Sequence, residues 1–136
     1  MSIVYTKITL KNADDVGIVA TGVGKDHKIR QTTVNAMVDT GASTLVINEA
    51  TRNKLGLRIL ETKTATLADG SKIKYNIAGP IEVNWKKRRA TCDAIVLPNA
   101  DKILLGAIPL EAMDLIVHPK KEEVVGAHGD EEIYRA

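Results

Sequence analysis

Apolar and polar residues exchange over short distances along this chain, and the period is more often near two than near 3.6. Ile3, Tyr5, Ile8 and Leu10 stand among Thr and Lys, which predicts an opening strand of roughly alternating character. Residues 16–21 are a second strand candidate, and the polar, Gly-containing stretch 22–27 reads as a turn. Residues 31–38, rich in Thr and Val, predict a third strand that runs straight into Asp39. Leu45, Val46 and Ile47 form a short apolar strand. Asn48 is placed to cap a short helix over 49–55, with Gly56 as its stop signal.

Two further strand-like runs, 62–67 and 72–77, are joined by Ala68-Asp69-Gly70-Ser71, and Asp-Gly at such a junction is a hairpin signal. Gly79-Pro80 breaks the pattern. Strands over 81–85 and 91–97 then flank Lys86-Lys87-Arg88-Arg89, which reads as a hairpin tip solvated on all sides. An apolar strand at 103–106, a short helix over 110–113 behind Pro109, and a strand at 115–117 complete the apolar pattern. The expectation is an all-β chain with one or two short helices, folded as a small closed barrel or sandwich. Residues 1–119 carry the pattern. Residues 120–136 are polar and charged, and the last of them are expected to fray.

Composition narrows this reading. A chain of 136 residues suits one domain with one core. Trp85 and three Tyr are the only aromatics and Phe is absent, so the core must be aliphatic. A net charge of +2 is too small to argue for nucleic acid, and no aromatic stacking platform accompanies the basic run. Cys92 is the sole cysteine, which rules out an internal disulfide and suits the cytoplasm. No signal peptide and no membrane-spanning apolar run is read from the chain. His27, His118 and His128 lack metal-ligand spacing and are read as surface groups, so neither metal nor cofactor is expected. Cys92 reads as a packed strand residue, and Trp85 as an anchor beneath the basic tip.

The candidate chemistry lies in residues 37–44, Met-Val-Asp-Thr-Gly-Ala-Ser-Thr. A carboxylate at the end of a buried strand is costly unless it is hydrogen-bonded or shares its charge with a neighbour. A loop Asp that merely caps the next turn would also fit Asp39 alone. Gly41 allows a sharp turn and close approach to a reacting atom, and Ala42 leaves room beside it. Further along come the hairpin tip Ala68-Asp69-Gly70-Ser71 and then Leu104-Leu105-Gly106 ahead of a short helix.

These three elements, in this order, resemble the retropepsin-like aspartic proteases, and most closely the small single-domain bacterial members. Asp39-Thr40-Gly41-Ala42 matches the catalytic signature. TLADGSKIKY resembles the flap hairpin, and ILLGAIPLEAMDLIVHP resembles the hydrophobic-hydrophobic-Gly element, helix and final strand. The resemblance covers roughly residues 3 to 119 and implies an acid-protease fold with one lobe per chain. It implies Asp39 as the catalytic residue and support of its loop by Thr40, Gly41, Ala42 and Gly106. Thr40 would bond across a dimer to its counterpart, and Gly106 would lie beneath the Asp39 loop, where a side chain would clash. Ala68, Asp69, Gly70 and Ser71 would form a substrate-binding flap. Asp69 departs from the Gly-rich viral flap and is readable as a simple turn former.

The chain holds one Asp-Thr-Gly. An aspartic dyad needs two carboxylates sharing a proton, so the expectation is a homodimer that contributes Asp39 twice and hydrolyses peptide bonds. The alternative is a dimeric peptide- or partner-binding module on the same fold, with weak or no proteolysis.

Overall fold

The computed structural model describes residues 3–118 and 120–129. Strand β1 (Tyr5–Asn12) buries Ile8, Leu10 and Asn12 and leaves the intervening positions more open, the pattern of a half-buried strand. It pairs antiparallel with β2 (Gln31–Val38) along nearly its whole length. The remaining strands are β3 (Leu45–Ile47), β4 (Arg58–Thr66), β5 (Lys72–Trp85), β6 (Arg88–Val96), β7 (Leu104–Leu105), β8 (Leu115–His118) and β9 (Glu123–Gly126). The first seven form one sheet in the order β1-β2-β7-β3-β6-β5-β4, and β1 also pairs with β5. That second pairing closes six strands into a barrel and leaves β4 attached to β5 alone. The interior is aliphatic: Ile8, Leu10, Leu45, Ile47, Ile81, Val83, Val96 and Leu105 are all buried.

The fold is mostly β with short helices, as the sequence predicts. The helices are α1 (Ala13–Thr21), α2 (Glu49–Leu55) and α3 (Ala107–Ala112). In α2, Asn48 accepts from the Thr51 N–H at 2.9 Å, and Gly56 closes the helix at φ 60°.

Helix α1 corrects the strand expected over residues 16–21. Asn12 caps it by accepting from Asp15 N–H, and Gly22 ends it in the left-handed conformation. The fully buried side chain of this helix is a carboxylate, Asp15. An apolar-period reading is blind to a helix anchored in that way.

Two other expectations change. Residues Gly79-Pro80 do not end a strand. β5 runs through them, and its pairing with β6 shifts register between Ala78 and Ile81. The basic run is not solvated on all sides. Arg88 is buried and donates to the carbonyls of Met113 and Asp114, each at 2.8 Å, and of Gly129 at 2.6 Å. Strand β9 lies in the polar segment beyond residue 119, pairs with β8 and buries Val124. The fraying expected of the last residues falls on 130–136, outside the described residues.

Candidate functional site

Strands β2 and β3 are consecutive in sequence but not neighbours in the sheet, because β7 lies between them. Residues 39–44 must therefore cross the end of β7. This crossing sets the geometry of the site. The N–H of Asp39 bonds to the carbonyl of Leu105 at 3.0 Å, which continues the β2–β7 pairing one step past the strand. Asp39 O accepts from Ala42 N–H at 3.1 Å, closing a tight turn. The carboxylate oxygen Oδ1 accepts from Gly41 N–H at 2.9 Å. The other oxygen, Oδ2, has no hydrogen-bond partner among the described residues. Asp39 is partly exposed, so one oxygen is fixed and the other is open to a proton or a water.

Gly106 sits under this crossing. A Cβ there would fall 2.1 Å from the carbonyl oxygen of Thr44 and 2.6 Å from that of Ala42. Its φ of −90° is ordinary, so the constraint is space and not backbone strain. The first residues of α3 then hold the loop from below: Ala107 N–H bonds to Ala42 O at 2.8 Å, and Ile108 N–H to Ser43 O at 2.9 Å. A Cβ on Gly41 would lie 3.2 Å from Asp39 Oδ1, crowding the oxygen that its own N–H holds. Thr40 is exposed, and its hydroxyl has no partner among the described residues. Asp39, Gly41 and Ala42 thus form one hydrogen-bonded turn that lies close over Gly106, with Thr40 at its surface.

Sheet pairing extends the site. Tyr5, Met37, Leu104, Val46, Ile95, Ile77 and Glu61 are successive partners across all seven strands. Partners in register share a face, so they form a mainly apolar row on one side of the sheet. Met37, Leu104, Ile95 and Ile77 are only partly buried. Asp39 lies two residues past Met37, and alternation carries it to this same face. The row becomes visible once the strand order is known.

Ala68, Asp69, Gly70 and Ser71 occupy the tip of the β4–β5 hairpin. Leu67 N–H bonds to Ser71 O at 2.8 Å, and Gly70 takes φ 87°. Asp69 Oδ1 accepts from the N–H and hydroxyl of Ser71, at 2.9 and 2.5 Å. The Ser71 hydroxyl is the main cause holding the Asp69 carboxyl below its ordinary range. No hydrogen bond joins this tip to the Asp39 loop among the described residues. Apart from Ala65, every residue of β4 is exposed, so the hairpin stands away from the barrel.

A second carboxylate is held by a different network. Asp15 is buried and accepts from Arg30 Nε at 2.9 Å, Arg30 Nη2 at 3.0 Å and Arg30 N–H at 2.9 Å, and it lies 2.8 Å from His27 Nε2. The guanidinium hydrogen bonds hold its carboxyl well below the usual carboxylate range, although burial opposes them. His27 is therefore a partner of a buried acid as well as a surface group. This unit ties α1 to the start of β2 and has no open coordination for substrate. Cys92 is half-buried, and burial pushes its thiol up to about 11, which suits the packed role expected of it. No helix among the described residues is long and apolar enough to cross a membrane.

The family model described as "gag-polyprotein putative aspartyl protease" matches residues 26–112. A search of curated proteins returns no match. The matched stretch holds the Asp39 loop, the β4–β5 hairpin and Gly106. Since it also spans the larger part of the barrel, the chain belongs to the retropepsin-like aspartyl protease family.

Proposed function

We propose that the protein is an aspartic endopeptidase active as a homodimer, with one Asp39 from each chain. The observation that carries this reading is the state of Asp39: one oxygen held by Gly41 N–H, the other without a partner, on a loop braced by α3. A single such carboxylate cannot both accept a proton from water and donate one to a carbonyl. Two of them, sharing one proton, can do both. The ionised member removes a proton from a water, which attacks the scissile carbonyl carbon. The neutral member gives its proton to the carbonyl oxygen. Collapse of the tetrahedral intermediate breaks the C–N bond: the amine leaves with the proton the first carboxylate took from water, and the second carboxylate regains its proton from the hydroxyl.

The half-exposed apolar row beside Asp39 supports a peptide substrate. An extended peptide could lie along it with alternate side chains on the apolar surface. The β4–β5 hairpin, with Ala68 to Ser71 at its tip, is the element we assign to cover that peptide. Thr40, exposed and without a partner in one chain, is available to bond to its counterpart in a dimer. The absence of any internal disulfide suits action in a reducing compartment such as the cytoplasm.

The test is peptide-library cleavage by wild type and by Asp39→Asn, with sedimentation equilibrium on both. Cleavage by the wild-type dimer, with a loss of at least about 10³-fold in the variant, supports the reading. A folded Asp39→Asn dimer that cleaves at the wild-type rate would exclude Asp39. A dimer that binds extended peptides at the Asp39 face without cutting them would instead favour the binding-module reading.

A further inference from the structure

Strand β1 is paired unevenly along its two edges. On one edge it pairs with β2 from Tyr5 to Lys11. On the other it pairs with β5 only from Thr9 to Asn12. Within a strand, the N–H and C=O of one residue point to the same edge, and successive residues alternate. Val4 O accepts from Val38 N–H, and Asn12 N–H donates to Arg30 O, so the even-numbered residues address the β2 side. The backbone groups of Tyr5 and Lys7 therefore address the opposite edge, where β5 has not yet begun to pair. Among the described residues, neither has a backbone partner there.

A cavity of about 530 Å³ lies along this open stretch, with Tyr5, Lys7, Trp85, Lys86, Glu123 and Val124 in its walls. Trp85 is anchored by its indole N–H, which donates to Thr6 Oγ1 at 2.8 Å, and Lys86 Nζ sits 4.6 Å from the Trp85 ring centroid. Lys7 and Lys86 are exposed, and neither pairs with a carboxylate among the described residues. The walls thus offer two ammonium groups against the one carboxylate of Glu123. An unpaired strand edge is a template for an added strand, and its side-chain surroundings select the sequence.

We propose that this edge takes up an extended acidic peptide segment as an added strand on β1. Its backbone pairs with Tyr5 and Lys7, and its carboxylates face the Lys7 and Lys86 ammonium groups. No residue of the Asp39 loop lines the cavity, and Tyr5 is the one residue it shares with the apolar row beside Asp39. It would hold a partner protein through a segment that is never cut.

The experiment uses the full chain and a fluorescein-labelled hexapeptide of alternating Glu and Val, read by anisotropy and by amide hydrogen exchange. Saturable binding is expected, with slowed exchange at Tyr5 and Lys7. Methylating alternate peptide nitrogens on the pairing edge, or replacing Glu by Lys, should weaken binding at least about tenfold, and Lys7→Glu with Lys86→Glu should do the same. The Asp39→Asn variant should bind as wild type does. Equal affinity for the N-methylated peptide would overturn the added strand, and equal affinity for the Lys peptide would overturn the acidic preference. Tighter binding of a single-stranded oligonucleotide would assign the lysines to another class of ligand. Concentration-dependent protection of Tyr5 and Lys7 without peptide would make the edge an interface between copies, and failure of the acidic peptide to bind at all would also defeat the proposal.

Discussion

A methyl group is tolerated or excluded here according to what surrounds the Cα. At Gly106 it would meet the Thr44 and Ala42 carbonyl oxygens well inside contact distance, and neither belongs to a flexible side chain. Gly106→Ala should therefore displace the Asp39 loop, cost about 2–3 kcal/mol and abolish cleavage, as thermal melts and a peptide assay would record. Asp15 offers a test of a different force. Its carboxyl is held low by Arg30, so the unfolded chain binds more protons than the native one once pH falls below about 4. Its stabilisation is complete above that pH and fades as acid rises toward the folded-state value. Asp15→Asn should cost about 2–3 kcal/mol at pH 7 and progressively less below pH 4, measured by urea titration across pH. An equal cost at pH 7 and pH 2.5 would show that the charge is not what matters. At Cys92, a thiol raised to about 11 by burial should react slowly with iodoacetamide at pH 8 in the native state and quickly in urea.

Among the elements, α1 and the β8–β9 hairpin are each tied down through a buried charged side chain, Asp15 and Arg88, although the hairpin also buries Leu115 and Val124. Gly17 lies in the middle of α1, and a Cβ there would meet nothing within 4 Å. Gly17→Ala should raise stability by about 0.5–1 kcal/mol, since it restricts the unfolded chain and favours helix. A destabilised variant would mean that α1 is not helical in solution. Arg88 holds the other element, because its guanidinium is the link from β6 to the carbonyls of Met113, Asp114 and Gly129. Arg88→Ala removes the side-chain donor from the Met113 and Gly129 carbonyls, while Asp114 O keeps Ala127 N–H at 2.7 Å. It should speed amide exchange over residues 123–126 far more than over β5, and uniform acceleration would refute a local staple.

For the whole molecule, the proposed function turns on proton sharing between two chains. If each contributes Asp39, the cleavage rate must fall when both carboxylates are protonated and again when both are ionised. A bell-shaped pH–rate profile on the acid side of neutrality follows. Ala42 stands in the Asp39 turn, with its N–H on Asp39 O, and the prediction is for a Ser hydroxyl there that bonds to the carboxylate. Ala42→Ser would stabilise the ionised form, so it should shift the acid limb of the bell to lower pH. The check is a pH–rate series on one peptide, with dimer content measured at each pH. A flat profile with the dimer intact would leave no role for a shared proton.

Local sequence was enough for the elements whose signals are short-range. The α2 caps at Asn48 and Gly56, the Asp69-Gly70 turn and the apolar strand into Asp39 are each read from adjacent residues, and the structure forms all of them. The motif with its single Asp39 also marked the family without any knowledge of strand order. Tertiary structure decided what depends on partners distant in sequence. Helix α1 exists where alternation suggested a strand, because Asp15 finds Arg30 and His27 across a turn. Arg88 is buried in a run of charges because three carbonyls converge on it. The apolar row beside Asp39 and the open edge of β1 are products of sheet order and register, and no single segment carries either. Hydrophobic period reports which face of one segment avoids water. It cannot report which segment will lie opposite, and in this barrel that choice placed both the candidate active site and the open edge of β1.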